Sequence, residues 1–258
     1  MASANNHGQG NGHTGRPPGN NQGHGAVGSH DPDHDHDNDS GHGHSDHDHD
    51  APCYCRGTLI LTKRGEVRIE DLAIGDMVAT ISGEAKPIKW IGRRSYAGQF
   101  ITGNRAVLPI VVRAGALAPD IPVRDLWVSP RHALLLDGVF VPAELLVNAQ
   151  TVLQAEAVDQ VAYFHLEFEA HEVILAEGTP SESYVEYDNR HGFHNAHEFA
   201  ALYPDDMRPS FAYCLPLAEP GMPELTVIRA RLFERAATLG HSATADPDLV
   251  IDTTIVAA

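Results

Sequence analysis

Residues 53–78, CYCRGTLILTKRGEVRIEDLAIGDMV, begin where the composition of the chain changes abruptly. The 52 residues before this stretch contain ten histidines, eight aspartates and ten glycines, and their only Lys or Arg is Arg16. The stretch itself opens with Cys53 and Cys55 and continues as apolar runs broken by glycine and aspartate. The two cysteines could therefore be metal ligands beside a histidine-rich tail, or part of the chemistry of the domain that follows.

The N-terminal segment offers almost nothing to bury, because Met1, Val27 and a few alanines are its only apolar residues. Such a composition cannot offset the entropy lost on ordering the backbone, so we expect a disordered tail. The remaining residues suffice for one hydrophobic core of ordinary size. We predict four segments: a disordered His/Asp/Gly-rich tail over 1–52, a β domain over 53–187, a helical appendage over 188–240 and a second tail over 241–258.

The charge and the apolar runs exclude several classes of partner. The formal net charge is −17, of which residues 1–52 carry −7 (eight Asp, one Arg) and the rest −10. An acidic chain gains nothing from counterion release at a phosphate backbone, so we expect no nucleic-acid binding. No run of apolar residues is long enough to span a membrane. The N-terminus also lacks the basic and apolar regions of a cleavable secretion signal.

From Cys53 onward the pattern predicts short strands separated by turns, with a new strand about every ten residues. Asp137-Gly138, between HALLL and VFVPA, is the clearest hairpin turn. Residues 160–178, QVAYFHLEFEAHEVILAEG, predict two strands, which would place His165 and His171 in adjacent strands. The absence of strand–helix alternation indicates an all-β body.

Helical spacing begins only after Tyr187. Residues 196–203, AHEFAALY, and 224–240, ELTVIRARLFERAATLG, carry this spacing, and the second ends at Gly240. The prediction is an all-β fold with a small C-terminal helical appendage.

Groups suited to chemistry concentrate in three places. Cys53 stands at the border of the tail, Ser129 and His132 lie three apart in VSPRHALL, and His165 and His171 lie in the later strand pair. A thiol with converging histidines suits nucleophilic catalysis, because a nearby base lowers the cost of forming thiolate. Each signal alone is weak, and His165 is equally compatible with a buried core histidine.

The other cysteines are expected to be passengers. Three cysteines in a chain of this length do not form a disulfide framework. Cys55 is predicted to be a buried bystander and Cys214 to pack in a core, as free cysteines commonly do.

Taken together and in this order, the motifs resemble the Hint domain shared by hedgehog autoprocessing domains and inteins, most closely its bacterial hedgehog/intein-type group. Cys53-Tyr54, then Gly57-Thr58 and VRIEDLAIGDMV, are similar to the family's opening motif. Residues 129–132, SPRH, resemble its Thr-x-x-His motif with the hydroxyl kept, and WIGRR, VRAGAL, HALLLDG and PAELLVN are also like that group. The resemblance is dense over 53–187 and looser to residue 238, and it implies a horseshoe-like β fold.

The resemblance implies self-cleavage that begins at a cysteine. The Cys53 thiol would attack the carbonyl of Pro52 in an N–S acyl shift, which converts the Pro52–Cys53 peptide bond into a thioester. His132 would protonate the departing amine as general acid. Ser129 would hydrogen-bond the amide or orient the imidazole.

The remaining expectations from the resemblance concern the second half of the reaction. His165 stands where the family often has Asp, which helps to activate the incoming nucleophile, and His171 matches a histidine found further along that motif. The substrate would be the chain's own N-terminal segment, and water or another small nucleophile would open the thioester in a single turnover. No cofactor would be required.

Full protein splicing is not expected. Splicing needs a terminal Asn followed by Cys, Ser or Thr, but His194-Asn195 is followed by Ala196. An asparagine beginning a helix explains this position more simply. Pro52 restricts the carbonyl before the cysteine, which predicts slow cleavage.

A second hypothesis is a catalytically inactive Hint-fold module with a metal-binding tail. Alternating imidazoles and carboxylates bind Zn, Ni or Cu loosely, although the same tail is equally explained as a solvated, pH-responsive segment. The resemblance also implies a bacterial protein, either cytoplasmic or exported without a cleavable N-terminal signal. The candidate ligands in the tail are His34, His36, His42, His44, His47 and His49.

Overall fold

The computed structural model describes residues 51–206 and 212–240. Within these ranges the chain forms fourteen β-strands and three α-helices. The strands are β1 Tyr54–Cys55, β2 Leu59–Thr62, β3 Gly65–Arg68, β4 Met77–Ala79, β5 Ala85–Pro87, β6 Trp90–Ala97, β7 Ile110–Val112, β8 Leu126–Val128, β9 Ala133–Leu136, β10 Val139–Pro142, β11 Val152–Gln154, β12 Gln160–Glu167, β13 Val173–Ala176 and β14 Thr179–Glu182. The helices are α1 Ala143–Leu146, α2 Ala196–Leu202 and α3 Pro223–Thr238.

The strands form two antiparallel sheets, which confirms the predicted all-β body. The first sheet has six strands in the order β11-β7-β8-β1-β12-β6, and the second has eight, with β10-β9-β14-β13-β2-β4-β5 in line and β3 paired to β2. The two-residue strand β1 lies in the interior of the first sheet, where Tyr54 pairs with Val128 of β8 and with Phe164 of β12. The chain entering the domain is therefore inserted between strands from two distant parts of the sequence.

The Asp137-Gly138 hairpin is confirmed, and it joins β9 to β10. Asp137 has φ 50° and Gly138 has φ 84°, the left-handed pair that a two-residue hairpin of the right twist requires.

The expectation that His165 and His171 lie in adjacent strands is wrong. β12 lies in the first sheet and pairs with β1 and β6, whereas β13 lies in the second sheet and pairs with β14 and β2. His171 precedes β13, in the segment that crosses between the sheets. Both strands are largely buried on both faces, so their local pattern could not reveal that the chain changes sheet.

The segment that enters the domain, residues 51–55, is called the entering segment here. From Cys53 to Cys55 its successive side chains face different cores, as in any extended strand. Tyr54 packs in the larger core, which includes Ile60, Leu126 and Leu134. Cys53 and Cys55 pack in a second core, formed around Trp90, Val111 and Tyr163. The alternation therefore separates the thiols from the tyrosine ring between them.

Both predicted helices are present, and both pack on these cores. Phe199 of α2 belongs to the second core. In α3 the buried positions Leu225, Ile228, Leu232 and Ala236 follow the spacing of an amphipathic helix, and the three larger ones join the larger core. The division of the folded residues at 187 stays a prediction.

The predicted tails lie almost entirely outside the described residues, and so do the six candidate metal-ligand histidines. Ala51 and Pro52, at the end of the predicted N-terminal tail, are described, and Ala51 is completely buried. Among the described residues, no helix has both the length and the apolar character needed to cross a membrane.

The packing of α3 is expected to contribute to stability. Replacing Leu232, which is fully buried, with alanine should lower the free energy of unfolding by about 2–5 kcal/mol, because the change leaves a cavity in the larger core. Urea unfolding followed by circular dichroism measures the change. Val227→Ala on the same helix is the control, because Val227 is 63% exposed and should alter stability little. Equal stabilities for the two variants would contradict this packing.

Candidate functional site

Two hydrogen bonds hold Cys53 against Ser129. The backbone N–H of Cys53 donates to Ser129 Oγ over 2.8 Å, and the backbone N–H of Ser129 donates to the Cys53 carbonyl over 2.9 Å. Both residues are buried, with Cys53 completely so. The nitrogen of the Pro52–Cys53 peptide bond is thus in contact with a hydroxyl inside the protein.

A tight turn connects Ser129 to His132. The N–H of His132 donates to the Ser129 carbonyl over 3.1 Å, and Pro130 occupies the second position, which suits a β-turn because proline fixes φ near the required value. Ser129 directly follows β8 and His132 directly precedes β9. The Ser-x-x-His spacing therefore corresponds to one turn between two strands, which carries both side chains.

His132 is enclosed by rings and by a carboxyl group. Its ring centroid lies 4.1 Å from that of Tyr54 and 5.2 Å from that of His165, and its Nδ1 lies 3.9 Å from Glu182 Oε1. Neither ring nitrogen has a hydrogen-bond partner among the described residues. Complete burial lowers the pKa of His132 to about 3, so its imidazole is neutral at ordinary pH.

His165 extends this cluster from β12. Its ring lies 5.9 Å from that of Tyr54 and 5.6 Å from that of Tyr184, and the side chain is fully buried. Burial, and then the charges that His132, His171 and Arg94 would place nearby, hold the pKa of His165 well below its usual value. The structure thus brings two neutral histidines together beside the strand that follows Cys53.

His171 has different neighbours. Its Nδ1 accepts the backbone N–H of Cys214 over 3.0 Å, and its ring packs against Phe140 and Tyr213. Burial lowers its pKa to about 4. These contacts join the segment between the sheets to the residues before α3, and a catalytic role for His171 stays a prediction.

Glu182 is a member of the cluster that no sequence motif indicated. Its Oε1 accepts the backbone N–H of Ala133 over 2.7 Å, and its carbonyl accepts the hydroxyl of Tyr54 over 2.9 Å. Burial raises the pKa of Glu182 to about 8, so the carboxyl group is protonated near neutrality. Only the pairing of β14 with β9 brings Glu182 to His132, and that pairing is not visible in the local pattern.

Arg94 is a second residue near the cysteine that no sequence motif indicated. It is 3% exposed, and its Nη2 donates to the Ala51 carbonyl over 2.5 Å. Its guanidinium lies over the rings of Tyr96 and Tyr163. One signal was available, because alternation along β6 places Arg94 on the same face of the strand as Trp90 and Tyr96.

The two other cysteines differ in their surroundings. Cys55 is completely buried, and burial together with Cys53 raises the pKa of its thiol well above the usual value, in keeping with a bystander. Cys214 is exposed, so its expected place in a core is wrong. Cys214 lies in a stretch of alternating exposed and half-buried residues, where a small thiol can remain in solvent.

One group of side chains has the spacing of metal ligands within the described part of the chain. His132, His165 and Glu182 each offer a ligand atom, and these atoms all lie within 4.8 Å of one another. Two imidazoles and a carboxylate form a donor set that zinc accepts. Neither Cys53 nor Cys55 belongs to this group.

The fold and this arrangement define a Hint-type β domain, in which a cysteine directly before a central strand contacts a hydroxyl, and two histidines pack against the tyrosine that follows it. Residues 52–188 match the family described as the Hint domain, which is just over half of the 258 residues. The chain therefore belongs to the Hint family, and the expected family and its horseshoe-like β fold are confirmed. Membership supports a self-processing domain in general terms.

Solved structures of the same kind are similar to this chain at low identity. The bacterial intein-like domain from Clostridium thermocellum is 16% identical with a TM-score of 0.38, over 51% of this chain and 98% of that one. The MchDnaB-1 intein is 14% identical with a TM-score of 0.36, over 50% and 98%. A DnaB intein from Synechocystis sp. PCC 6803 is 11% identical with a TM-score of 0.37, over 52% and 100%. No curated protein matches the chain significantly.

The buried imidazole of His132 should make the protein sensitive to acid. Its pKa is about 3 in the folded chain and about 6.5 when unfolded, so the unfolded chain takes up the proton first as the pH falls. The neutral imidazole of His132 therefore contributes to the free energy of unfolding above about pH 6.5, and this contribution should be lost as the pH falls towards about 3. Glu182 has the opposite effect, because its pKa is raised on folding. Its contribution to the free energy of unfolding falls as the pH rises from about 4.5 to about 8.

Urea unfolding at a series of pH values tests this expectation in a Cys53→Ala background, which keeps the chain intact. His132→Asn should flatten the loss of stability below about pH 6.5 relative to the parent. His197→Asn is the control for the substitution itself, because His197 is exposed and its replacement should alter stability little. Parallel curves for the parent and His132→Asn would contradict the expectation.

Proposed function

We propose that this chain is a self-cleaving Hint domain in which the Cys53 thiol attacks the carbonyl carbon of Pro52. The observation that carries the proposal is the 2.8 Å hydrogen bond from the Cys53 N–H to Ser129 Oγ. That nitrogen is the leaving group of the N–S acyl shift. It lies in a buried site, against a hydroxyl on the same turn as His132.

The proton balance of the shift suits neutral histidines. A bond forms between Sγ and the Pro52 carbonyl carbon, the bond from that carbon to the Cys53 nitrogen breaks, and the thiol proton ends on the nitrogen. His132, whose pKa is about 3, holds no spare proton to donate. It would instead accept the thiol proton and pass a proton to the amine, so that nothing is taken from solvent.

Ser129 would act mainly by holding the reacting peptide. Its hydroxyl and its N–H fix Cys53 on both sides of the Cα atom. Restricting the reacting groups to one geometry is among the larger contributions to catalysis. Complete burial of the thiol also limits the access of bulk water to this bond before it becomes a thioester.

His165 would serve the second half of the reaction. It lies beside His132 and, as a neutral imidazole, can take a proton from water or from another small nucleophile that opens the thioester. Cleavage would release residues 1–52 in a single turnover.

The contacts of Asn195 favour cleavage over splicing. Its Oδ1 accepts the Arg93 N–H over 2.8 Å, and its Nδ2 donates to the Ile91 carbonyl and to Glu198 Oε2, each over 2.9 Å. Asn195 directly precedes α2. Cyclisation would require Nδ2 to attack the residue's own carbonyl, and these bonds orient it towards the edge of β6 instead.

The alternative, an inactive Hint-fold module whose tail binds Zn, Ni or Cu, rests on composition. The tail histidines lie outside the described residues, and this alternative keeps its status as a hypothesis.

Addition of dithiothreitol or hydroxylamine should split the chain into residues 1–52 and 53–258, because either reagent opens a thioester. Intact mass spectrometry measures the products. Cys53→Ala should abolish the cleavage. Cys55→Ala is the matched control, since it removes the other buried thiol and should cleave like the parent. A parent mass that never changes would refute self-cleavage.

Substitutions at Ser129 should separate the hydroxyl from the bulk of the side chain. Ser129→Ala removes the acceptor of the Cys53 N–H and should slow the single-turnover release by about 10–100-fold, because the reacting bond loses one of its anchors. Ser129→Thr keeps a hydroxyl and should retain most of the rate. The two rates are compared by gel densitometry after addition of dithiothreitol. Equal rates for the alanine variant and the parent would remove Ser129 from the reaction.

A further inference from the structure

We propose that Arg94 and the buried environment of Ala51 form a recognition subsite for the residue two positions before Cys53. Arg94 binds the backbone carbonyl of that residue, and the surrounding core accepts only a small side chain. The inference rests on the proposed self-cleavage, because residue 51 belongs to the segment that would be released.

The carbonyl of Ala51 is the first element of the subsite. Arg94 Nη2 donates to this oxygen over 2.5 Å, and the Cys53 thiol donates to it over 3.4 Å. A hydrogen bond from a charged donor is stronger than a neutral one. Because the acceptor is a main-chain oxygen, Arg94 can bind residue 51 in this way whichever side chain residue 51 carries.

The bond to Arg94 completes a pair of anchors around Pro52. On one side the Ala51 carbonyl is held by Arg94, and on the other the Cys53 nitrogen is held by Ser129. The carbonyl that the thiol would attack lies between these anchors. Fixing both ends of a short segment confines its middle, so Arg94 acts as a positioning residue for the attack.

Arg94 is a buried cation that is surrounded by aromatic rings. The side chain is 3% exposed, and its guanidinium lies 5.8 Å from the ring centre of Tyr96 and 5.4 Å from that of Tyr163. Aromatic faces attract a guanidinium, which is also more weakly hydrated than an ammonium group. Burying a charge costs free energy unless the charge has a hydrogen-bond partner. For the Arg94 guanidinium, the Ala51 carbonyl is such a partner.

The side chain of Ala51 is the second element. It is completely buried, in the same core as Cys53, Trp90 and Tyr163. Protein cores are close-packed, so added methylene groups force neighbouring side chains or the backbone to move. Pro52, in contrast, is half-buried. The substrate class that fits is an N-terminal segment whose penultimate residue before Cys53 is small.

The cleavage rate after addition of dithiothreitol tests both elements in the full chain. Ala51→Gly should cleave at close to the parent rate, and Ala51→Leu should be slower by at least about tenfold because the larger side chain displaces the scissile bond. Arg94→Gln should lose a similar factor, and Arg94→Lys, which keeps a charged donor, should recover part of it. Arg113→Gln is the matched control, because Arg113 is a partly buried arginine that bonds Asp125 instead.

A second measurement is independent of cleavage. In a Cys214→Ser background, alkylation of Cys53 by iodoacetamide, located by peptide mass mapping, reports whether the entering segment is held. Alkylation should be slow in the parent, where Cys53 is completely buried, and in Arg113→Gln. Alkylation should be faster in Arg94→Gln, which loses the hydrogen bond to the Ala51 carbonyl, and in Ala51→Leu, whose side chain is too large for the core. In both variants the entering segment is held less firmly and the thiol becomes more accessible.

The two measurements separate the two proposals. A parent that never cleaves but follows this alkylation pattern would refute the self-cleavage and support the subsite. Cleavage and alkylation rates of Arg94→Gln and Ala51→Leu that equal those of the parent would refute the subsite and leave self-cleavage standing. If Arg94→Gln does not fold, the comparison of Ala51→Gly with Ala51→Leu decides, and equal rates for that pair count against the subsite.

Discussion

The insertion of β1 between β8 and β12 is the constraint on which the rest of the site depends. This strand has two residues, yet it pairs on both sides in the interior of a six-stranded sheet. Its position forces Cys53 against the residue that follows β8, which is Ser129. The turn to His132 and the position of His165 on β12 then bring both imidazoles close to Tyr54.

Exclusion of water sets the electrostatics of the whole cluster. Burial keeps His132 and His165 neutral and Glu182 protonated, so near neutral pH these three groups carry no charge. Arg94 is different, because a guanidinium stays charged in a protein interior. A reaction here would move the proton of the thiol among groups already present, which suits a step that occurs once inside a closed site. The same exclusion of water explains why acid is expected to destabilise the fold.

The features that the sequence could predict are those encoded locally. The opening motif, the Asp137-Gly138 hairpin and both helices follow from spacing and turn residues, and they appear in the structure as expected. The features it could not predict depend on pairing between distant strands. The chain crosses to the other sheet in the segment between β12 and β13 that contains His171, and Glu182 reaches His132 only because β14 pairs with β9. Arg94 occupies an intermediate case, since alternation places it inside but does not say what it binds.

The anchors around Pro52 change how that proline is understood. Its ring removes only its own N–H, whereas the bonds at this position use the carbonyl of Ala51 and the N–H of Cys53. The tertiary amide that a proline forms is the bond to the preceding residue, here Ala51–Pro52. The bond that would break, Pro52–Cys53, is an ordinary secondary amide. A fixed φ also leaves fewer conformations to be restricted between the anchors. The geometric cost of a proline carbonyl as the point of attack is therefore partly offset by the order that the ring brings. Slow reaction at this bond would arise from the carbonyl itself and not from a poorly held segment.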